Sequence, residues 1–366
     1  MNQPDVRYVS SLYGGFWNFD TKDFCYMTNP YFPPQEFIDA LGSRLRQLVK
    51  SYPSTNWYIS SLAAKPLGLT HEELVVANGA SELISAISEQ FVERLSVPVP
   101  TFDEFVNRSV SQGKQVSPYQ LTGDFELDVE DFIRHTLSVG ANAALLINPN
   151  NPTGSLLSQD TLWYLLESLR SLDLVLVDES FIEFSSYAPT PTVMGRLSDF
   201  PNLVVLKSLS KNYGIPGLRL GYAASANKEM VATMRRSVPI WSVNSLAQYF
   251  LEEIDQYQDE YLESCAKVRE AAQVLYSGLE SLHYLRPFPS QGNFVLCKLE
   301  PGLTGSELTE RLFRERNILI NDCSRKKGLG NEFVRFASRT VEENAQLIHA
   351  MRDLGSSIPV EERAHT

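Results

Sequence analysis

Leu206-Lys207-Ser208-Leu209-Ser210-Lys211-Asn212-Tyr213-Gly214-Ile215-Pro216-Gly217-Leu218-Arg219-Leu220-Gly221-Tyr222 is the stretch that decides how this chain is read. It leaves an apolar run, places a lysine just after two serines, and follows it with an arginine eight residues on. That layout suits pyridoxal phosphate (PLP). The Lys211 amine forms a Schiff base with the cofactor aldehyde, and the serine hydroxyls and the Arg219 guanidinium hold its phosphate. The glycines let the backbone pass close to a bulky ligand.

Outward from this stretch, apolar runs at Ala143–Asn148, Leu174–Asp178 and Leu203–Leu206 read as buried parallel strands. Amphipathic stretches such as Ser158–Arg170 lie between them. The alternation predicts the α/β class, with a large PLP-binding domain built on a mostly parallel, doubly wound sheet. Ligands of such sheets bind beyond the carboxyl ends of the strands. Asn151, Asp178 and Lys211 fall at or just after those ends. Asp259–Leu282 reads as a long helix leading to a smaller α+β C-terminal domain. Its expected elements are strand Asn293–Lys298, helix Gly305–Glu315, strands Ile318–Ile320 and Phe333–Ala337, and helix Val341–Leu354. The expected division is residues 1–40 packing near the site and the small domain, 41–260 the large domain, 261–355 the small domain, and 356–366 a flexible tail.

PLP needs a lysine, a carboxylate at its pyridine nitrogen, donors for its phosphate and packing on its ring. Asp178 ends a strand, where a buried carboxylate keeps the pyridine nitrogen protonated; a helix cap or a structural ion pair is the plainer alternative. Asn148-Pro149-Asn150-Asn151-Pro152-Thr153-Gly154 forms a fixed turn after another strand. There the Asn151 amide can donate to the ring oxygen, unless the turn is an ordinary strand-to-helix connection. Asn78-Gly79-Ala80-Ser81-Glu82 precedes the apolar helix Leu83–Val92, and a helix start rich in small residues is a phosphate site or a simple cap. Phe102 is a candidate for stacking on the ring, or a core aromatic. Arg335 lies mid-strand between apolar neighbours, so it needs a partner: a substrate carboxylate gripped through two hydrogen bonds, or an internal salt bridge.

Composition bounds the rest. The chain has 366 residues, 43% of them hydrophobic, enough for a large core. A net charge of −12 argues against nonspecific binding to nucleic acid or to acidic membranes. Cys25, Cys265, Cys297 and Cys323 form no CxxC pair and point to reduced thiols in a cytoplasmic setting. No apolar run approaches the roughly 20 residues that span a bilayer. No metal site is expected.

Together these motifs resemble the fold type I PLP enzymes of the aminotransferase class I/II superfamily, from about Tyr13 to Leu354. Within it the chain resembles threonine-phosphate decarboxylases and, less closely, histidinol-phosphate aminotransferases. Four segments look more like the decarboxylases: Asn78–Ile84, Asp178–Phe184, Trp241–Ala247 and Ile318–Ser324. Phe181 stands where the aminotransferases usually have a tyrosine whose hydroxyl reaches the cofactor. The resemblance implies that Lys211 is the Schiff-base lysine and proton shuttle, that Asp178 pairs with the pyridine nitrogen, and that Asn151 contacts the ring oxygen. It places Ala80, Ser81, Ser208, Ser210 and Arg219 on the phosphate, with Tyr52 reaching the phosphate of the neighbouring subunit in a homodimer. Arg335 would hold the substrate carboxylate, and Asn29, Tyr13 and Asn321 would face the substrate.

Two departures bear on the substrate. Tyr13-Gly14-Gly15 stands where the decarboxylases tend to have His-Gly-Gly, and Asn321 where they tend to have arginine. Arg325, Lys326 and Lys327 follow closely and either replace the charge or form a solvated loop. The expected reaction is decarboxylation of a small amino acid bearing a phosphate or phosphonate, with a nucleotide-linked form also open. The alternative is transamination of the histidinol-phosphate type. A third reading, a PLP-binding module without turnover, sits poorly with a complete set of Lys211, Asp178, Asn151 and Arg219.

Overall fold

The computed structural model describes residues 5–355. The expected tail, 356–366, lies outside the described residues. Among the described residues twelve strands run in chain order: β1 (Lys22–Phe24), β2 (Leu74–Asn78), β3 (Arg94–Val99), β4 (Gln115–Gln120), β5 (Ala143–Ile147), β6 (Leu174–Asp178), β7 (Leu203–Ser208), β8 (Leu220–Ala224), β9 (Leu285–Pro287), β10 (Phe294–Leu299), β11 (Ile318–Asp322) and β12 (Phe333–Ala337).

Seven of them form a sheet in the order β2-β8-β7-β6-β5-β3-β4. Strands β3 to β7 pair in parallel, and β8 runs antiparallel to both of its neighbours. The sequence explains why both faces are covered. Ala144, Leu146, Val175, Val177, Leu203 and Val205 enter one core, and Ala143, Leu145, Leu174, Leu176, Val204 and Leu206 enter the other. A strand apolar at every position buries both faces and so demands helices on each. Helices Ala80–Phe91 and Lys228–Ser237 cover one face, through Leu83, Ile84 and Ile87 and through Met230, Val231 and Met234. Helices Val129–Ser138, Gln159–Ser168 and Ser245–Glu253 contribute to the other through Phe132, Leu165 and Phe250.

The second sheet has the order β1-β11-β12-β10-β9. Its core gathers Val295, Cys297, Val334 and Phe336 with Leu347 and Met351 of helix Val341–Gly355. Strand β1, from the N-terminal segment, pairs in parallel with β11. Helix Gln258–Glu280 links the two sheets in the chain. The architecture is the expected doubly wound α/β sheet with a smaller mixed sheet after it.

Several boundaries differ from the sequence reading, each for a local reason. The run at Ala143 stops at Ile147: the Asn148 amide still donates to the Asp178 carbonyl at 2.8 Å, but Pro149 has no N–H to carry the ladder on. Strand β7 runs on to Ser208, since Lys207 and Ser208 still pair with Tyr222 and Gly221 of β8. The helix expected from Leu83 begins at Ala80, one residue after a glycine at φ +79°. Ser158 is the cap of its helix, accepting from the Thr161 amide. Among the described residues no helix is long and apolar enough to cross a membrane.

Candidate active site

The site lies along the carboxyl ends of β5, β6 and β7. Asp178 closes β6 and is almost fully enclosed. Its Oδ1 accepts from the Ser180 amide at 2.8 Å. Burial pushes the carboxyl above its ordinary range, while the Ser180 hydrogen bonds and the positive charges of Lys211 and Lys207 pull it back. Ser180 also fixes the neighbouring strand, its Oγ accepting from the Ser208 amide at 2.9 Å. The Glu179 amide reaches the Leu206 carbonyl at 2.9 Å. The exits of β6 and β7 are therefore stitched together beyond the regular ladder.

Lys211 sits on the one-turn helix Leu209–Asn212 directly after β7. Its carbonyl accepts from the Asn29 amide at 2.8 Å, which ties the N-terminal segment to this turn. Burial, with the nearby cations Arg335 and Arg219, lowers the Lys211 amine to about 8; Asp178 opposes the shift. An amine so placed is largely neutral at mildly basic pH and can act as a nucleophile.

The β2 exit makes an anion cradle. Gly79 takes φ +79°, and a Cβ there would lie 2.5 Å from Arg219 Nη2. A Cβ on Gly221 would lie 2.5 Å from the Ala80 amide nitrogen. These two glycines give the guanidinium and the helix start room to converge. The amides of Ala80 and Ser81 open a helix and have no intrahelical acceptor. Arg219 itself adopts φ +60° and donates to the Pro216 carbonyl at 3.2 Å. The Ser210 hydroxyl is enclosed and has no hydrogen-bond partner among the described residues. A cation, a helix N-terminus and an unused hydroxyl fit a phosphate, and the enclosed carboxylate of Asp178 fits a protonated ring nitrogen. The residues present suit PLP.

The small sheet supplies Arg335 from β12, buried and opposite Asn321 in register. Its Nη1 donates to Asn151 Oδ1 at 2.5 Å and its Nη2 to the Cys25 carbonyl at 2.9 Å. Its Nε is buried without a partner. Burial lowers its proton affinity, yet guanidinium stays charged. Among the described residues no carboxylate forms a salt bridge with it, so the internal pairing weighed as its alternative is absent. With Asn151 Oδ1 turned to Arg335, the Asn151 amide nitrogen is the group left to donate elsewhere.

The remaining candidates fall in three kinds of place. Phe102 caps helix Asp103–Ser111, is exposed, and meets Phe105 edge-on at 6.3 Å. Asn29 is enclosed, and its side chain is used locally: its amide donates to the Asn212 carbonyl and to Ser264 Oγ, and its oxygen accepts from the Tyr31 amide. That geometry braces the Lys211 turn through Asn29. Asn321 Oδ1 accepts from the Cys323 thiol at 3.3 Å. Tyr13, at φ +50°, is 89% exposed. Tyr52 is 78% exposed and stacks on Trp241 at 4.4 Å. Of the basic run, Lys326 pairs with Asp103, beside Phe102, while Arg325 and Lys327 remain exposed.

Ser180, Lys207 and Glu183 were not among the expected site residues. Ser180 had a signal, since a serine two residues after an aspartate favours a turn in which the carboxylate takes its amide. Lys207 had one too, as a charge inside an apolar strand.

The chain is similar to known proteins along most of its length. Residues 17–351 match the family model described as aminotransferase class I and II. The chain is 35% identical over 350 residues to a CMP-5'-(3-aminopropyl)phosphonate synthase of Streptomyces rubellomurinus, covering 95% of this chain and 55% of that protein. It thus spans about half the length of that relative. It is 28% identical to an L-serine phosphate decarboxylase of Campylobacter jejuni, over 91% of this chain and 88% of the other. The crystal structure of the histidinol-phosphate aminotransferase from Clostridium acetobutylicum superposes with a TM-score of 0.85 at 26% identity, covering 92% of this chain and all of that one.

Proposed function

Because the chain belongs to the aminotransferase class I and II family, a PLP-dependent family, we propose that it is a decarboxylase of a small amino acid bearing a phosphate or phosphonate. The similarity to the L-serine phosphate decarboxylase, extending over most of both chains, carries this reading. The name of the Streptomyces relative supports the phosphonate alternative. Phe181 supports the choice of reaction: it is buried edge-on against Phe294 and offers no hydroxyl to the cofactor.

When bound, PLP supplies an electron sink for the pair released by a breaking bond at the substrate α-carbon. Lys211 would carry the cofactor and return a proton to the α-carbon as carbon dioxide leaves. Asp178 would keep the pyridine nitrogen protonated, and the Asn151 amide would donate to the ring oxygen. Arg219, Ser208, Ser210 and the helix start at Ala80 and Ser81 would hold the phosphate, with Phe102 packing on the ring. Arg335 would grip the α-carboxylate, with Tyr13 and Asn321 toward the far end of the substrate. The exposed Tyr52–Trp241 stack, with Val49 and Ile240 also exposed, supports a homodimer in which Tyr52 reaches the neighbouring site. Four free, buried cysteines support a reducing, cytoplasmic setting.

The second reading is an aminotransferase. The superposition on the histidinol-phosphate enzyme favours it, and Arg335 would serve either reaction. Mass spectrometry of products from the PLP-loaded protein decides between them. Phosphoserine, phosphothreonine and phosphonate amino acids, the last with and without a cytidylyl group, are offered with and without a keto-acid acceptor. An amine lighter by carbon dioxide, formed without acceptor, supports the decarboxylase. A keto product that needs the acceptor for turnover overturns it.

A further inference from the structure

Lys207 and Glu183 form an ion pair beneath the site, with side chains 9% and 22% exposed. Burying two charges costs more than a surface pair returns, so such a pair is a poor stability device; fixing one register is its best-attested use. The register here is that of the catalytic edge. Lys207 is the penultimate residue of β7, four residues before Lys211 in the chain, while Glu183 follows the turn that begins at Asp178. The two strand exits are already joined by Glu179 to Leu206 and by Ser208 to Ser180. The ion pair adds a third link, between the two on β7 and beyond them on the β6 side.

The polar groups nearest the pair have hydrogen-bond partners of their own. Glu179 spends its carboxylate on Thr192 Oγ1 at 2.6 Å and on the Val193 amide at 2.7 Å. Glu183 has Lys207 on one oxygen, while its other oxygen is buried without a hydrogen-bond partner among the described residues. Its carbonyl accepts from Arg269 of helix Gln258–Glu280 at 2.9 Å, which anchors the Glu183 backbone to that helix. Around the pair stand Tyr213, stacked on Tyr261 at 4.3 Å, and Tyr222, which is opposite Lys207 in register. Lys207 is thus the cation paired with the Glu183 carboxylate inside this shell, with Glu179 as its second acidic neighbour.

We infer that the Lys207–Glu183 pair is a positioning device, which holds the exits of β6 and β7 together so that Asp178 and Lys211 keep the separation a bound cofactor requires. The inference rests on the PLP reading of the site. A displacement of the order of 1 Å between catalytic groups costs about 100-fold in rate.

The test compares the PLP-loaded wild type with Lys207→Met, Glu183→Gln and Lys207→Arg. Bound cofactor, visible circular dichroism per bound cofactor, kcat, KM and Tm are measured on each. Lys207→Met is expected to keep its cofactor, to lose roughly 10- to 100-fold in kcat with KM within about threefold, and to show a weakened visible dichroism. Lys207→Arg, which keeps the charge, should retain both kcat and dichroism. If Lys207→Met does not fold, Glu183→Gln carries the test, since it preserves shape and removes only the charge. A lower Tm with unchanged kcat and unchanged dichroism would overturn the inference and leave the pair a structural one. A wild type that takes up no PLP would instead overturn the functional reading itself.

Discussion

Asp178 and Tyr13 are the two extremes among the expected site residues, one 5% and the other 89% exposed. Around Asp178 every backbone and side-chain group is fixed by adjacent strands: the Ser180 amide on its carboxylate, the Ser208 amide on Ser180, the Glu179 amide on Leu206. Around Tyr13 the chain follows a short helix, Val6–Ser11, and turns through Gly14 and Gly15 at the surface. A buried edge of that kind tolerates little change, because each group serves several neighbours. A surface turn tolerates much. On the proposed function, the cradle at the strand ends would set the chemistry and the rim would set which substrate reaches it.

The sharpest way to break this comparison is at the cradle. Lys211→Ala should abolish turnover and the visible absorption of the bound cofactor; absorption that persists and still shifts with substrate would move the anchor elsewhere. Asp178→Asn should keep the cofactor but cost about 100-fold or more in kcat, because the ring nitrogen loses its anionic partner. Near-normal turnover would show that another carboxylate does this.

Arg335 joins the two regions, reaching from the small sheet to Asn151. Arg335→Lys should lower kcat/KM by roughly 10- to 100-fold, since lysine cannot make two parallel bonds to a carboxylate. Unchanged kcat/KM would relocate the carboxylate grip. At the outer edge, Tyr52→Phe should weaken PLP retention by about threefold to tenfold if the site is shared between subunits. A fully active monomer would contradict that.

A subtler effect follows from Lys211. Its amine is lowered to about 8 from an ordinary 10.5, so its neutral fraction grows as pH rises through 8 and is nearly complete above 9. The rate at which the apoprotein takes up PLP should therefore rise with pH and level off near 9. A rate still climbing at pH 10 would mean that the amine is not depressed.

The cradle was legible in the sequence because its residues are polar groups placed where apolar strands end. Asp178, Asn151 and Lys211 each follow a buried run, and the structure gathers them because parallel strands share one carboxyl edge. Arg335 was legible as a charge without a local partner. Lys207 stood in the same kind of position, yet its partner Glu183 belongs to another strand exit, and no spacing rule joins them. The hydrogen bonds of Asn29 to Ser264 and Asn212, far away in the chain, were not legible either. The Tyr52–Trp241 stack was equally hidden, since it brings together two loops widely separated in sequence. Strand ends can be read locally; pairings across the fold cannot.

The most direct test of the account runs the PLP-loaded enzyme on O-phosphoserine in heavy water, with no keto acid present. The account predicts repeated turnover to the amine, with one deuterium at the former α-carbon in place of the lost carboxylate. A keto product, or substrate recovered with deuterium at its α-carbon and its carboxylate intact, would contradict it.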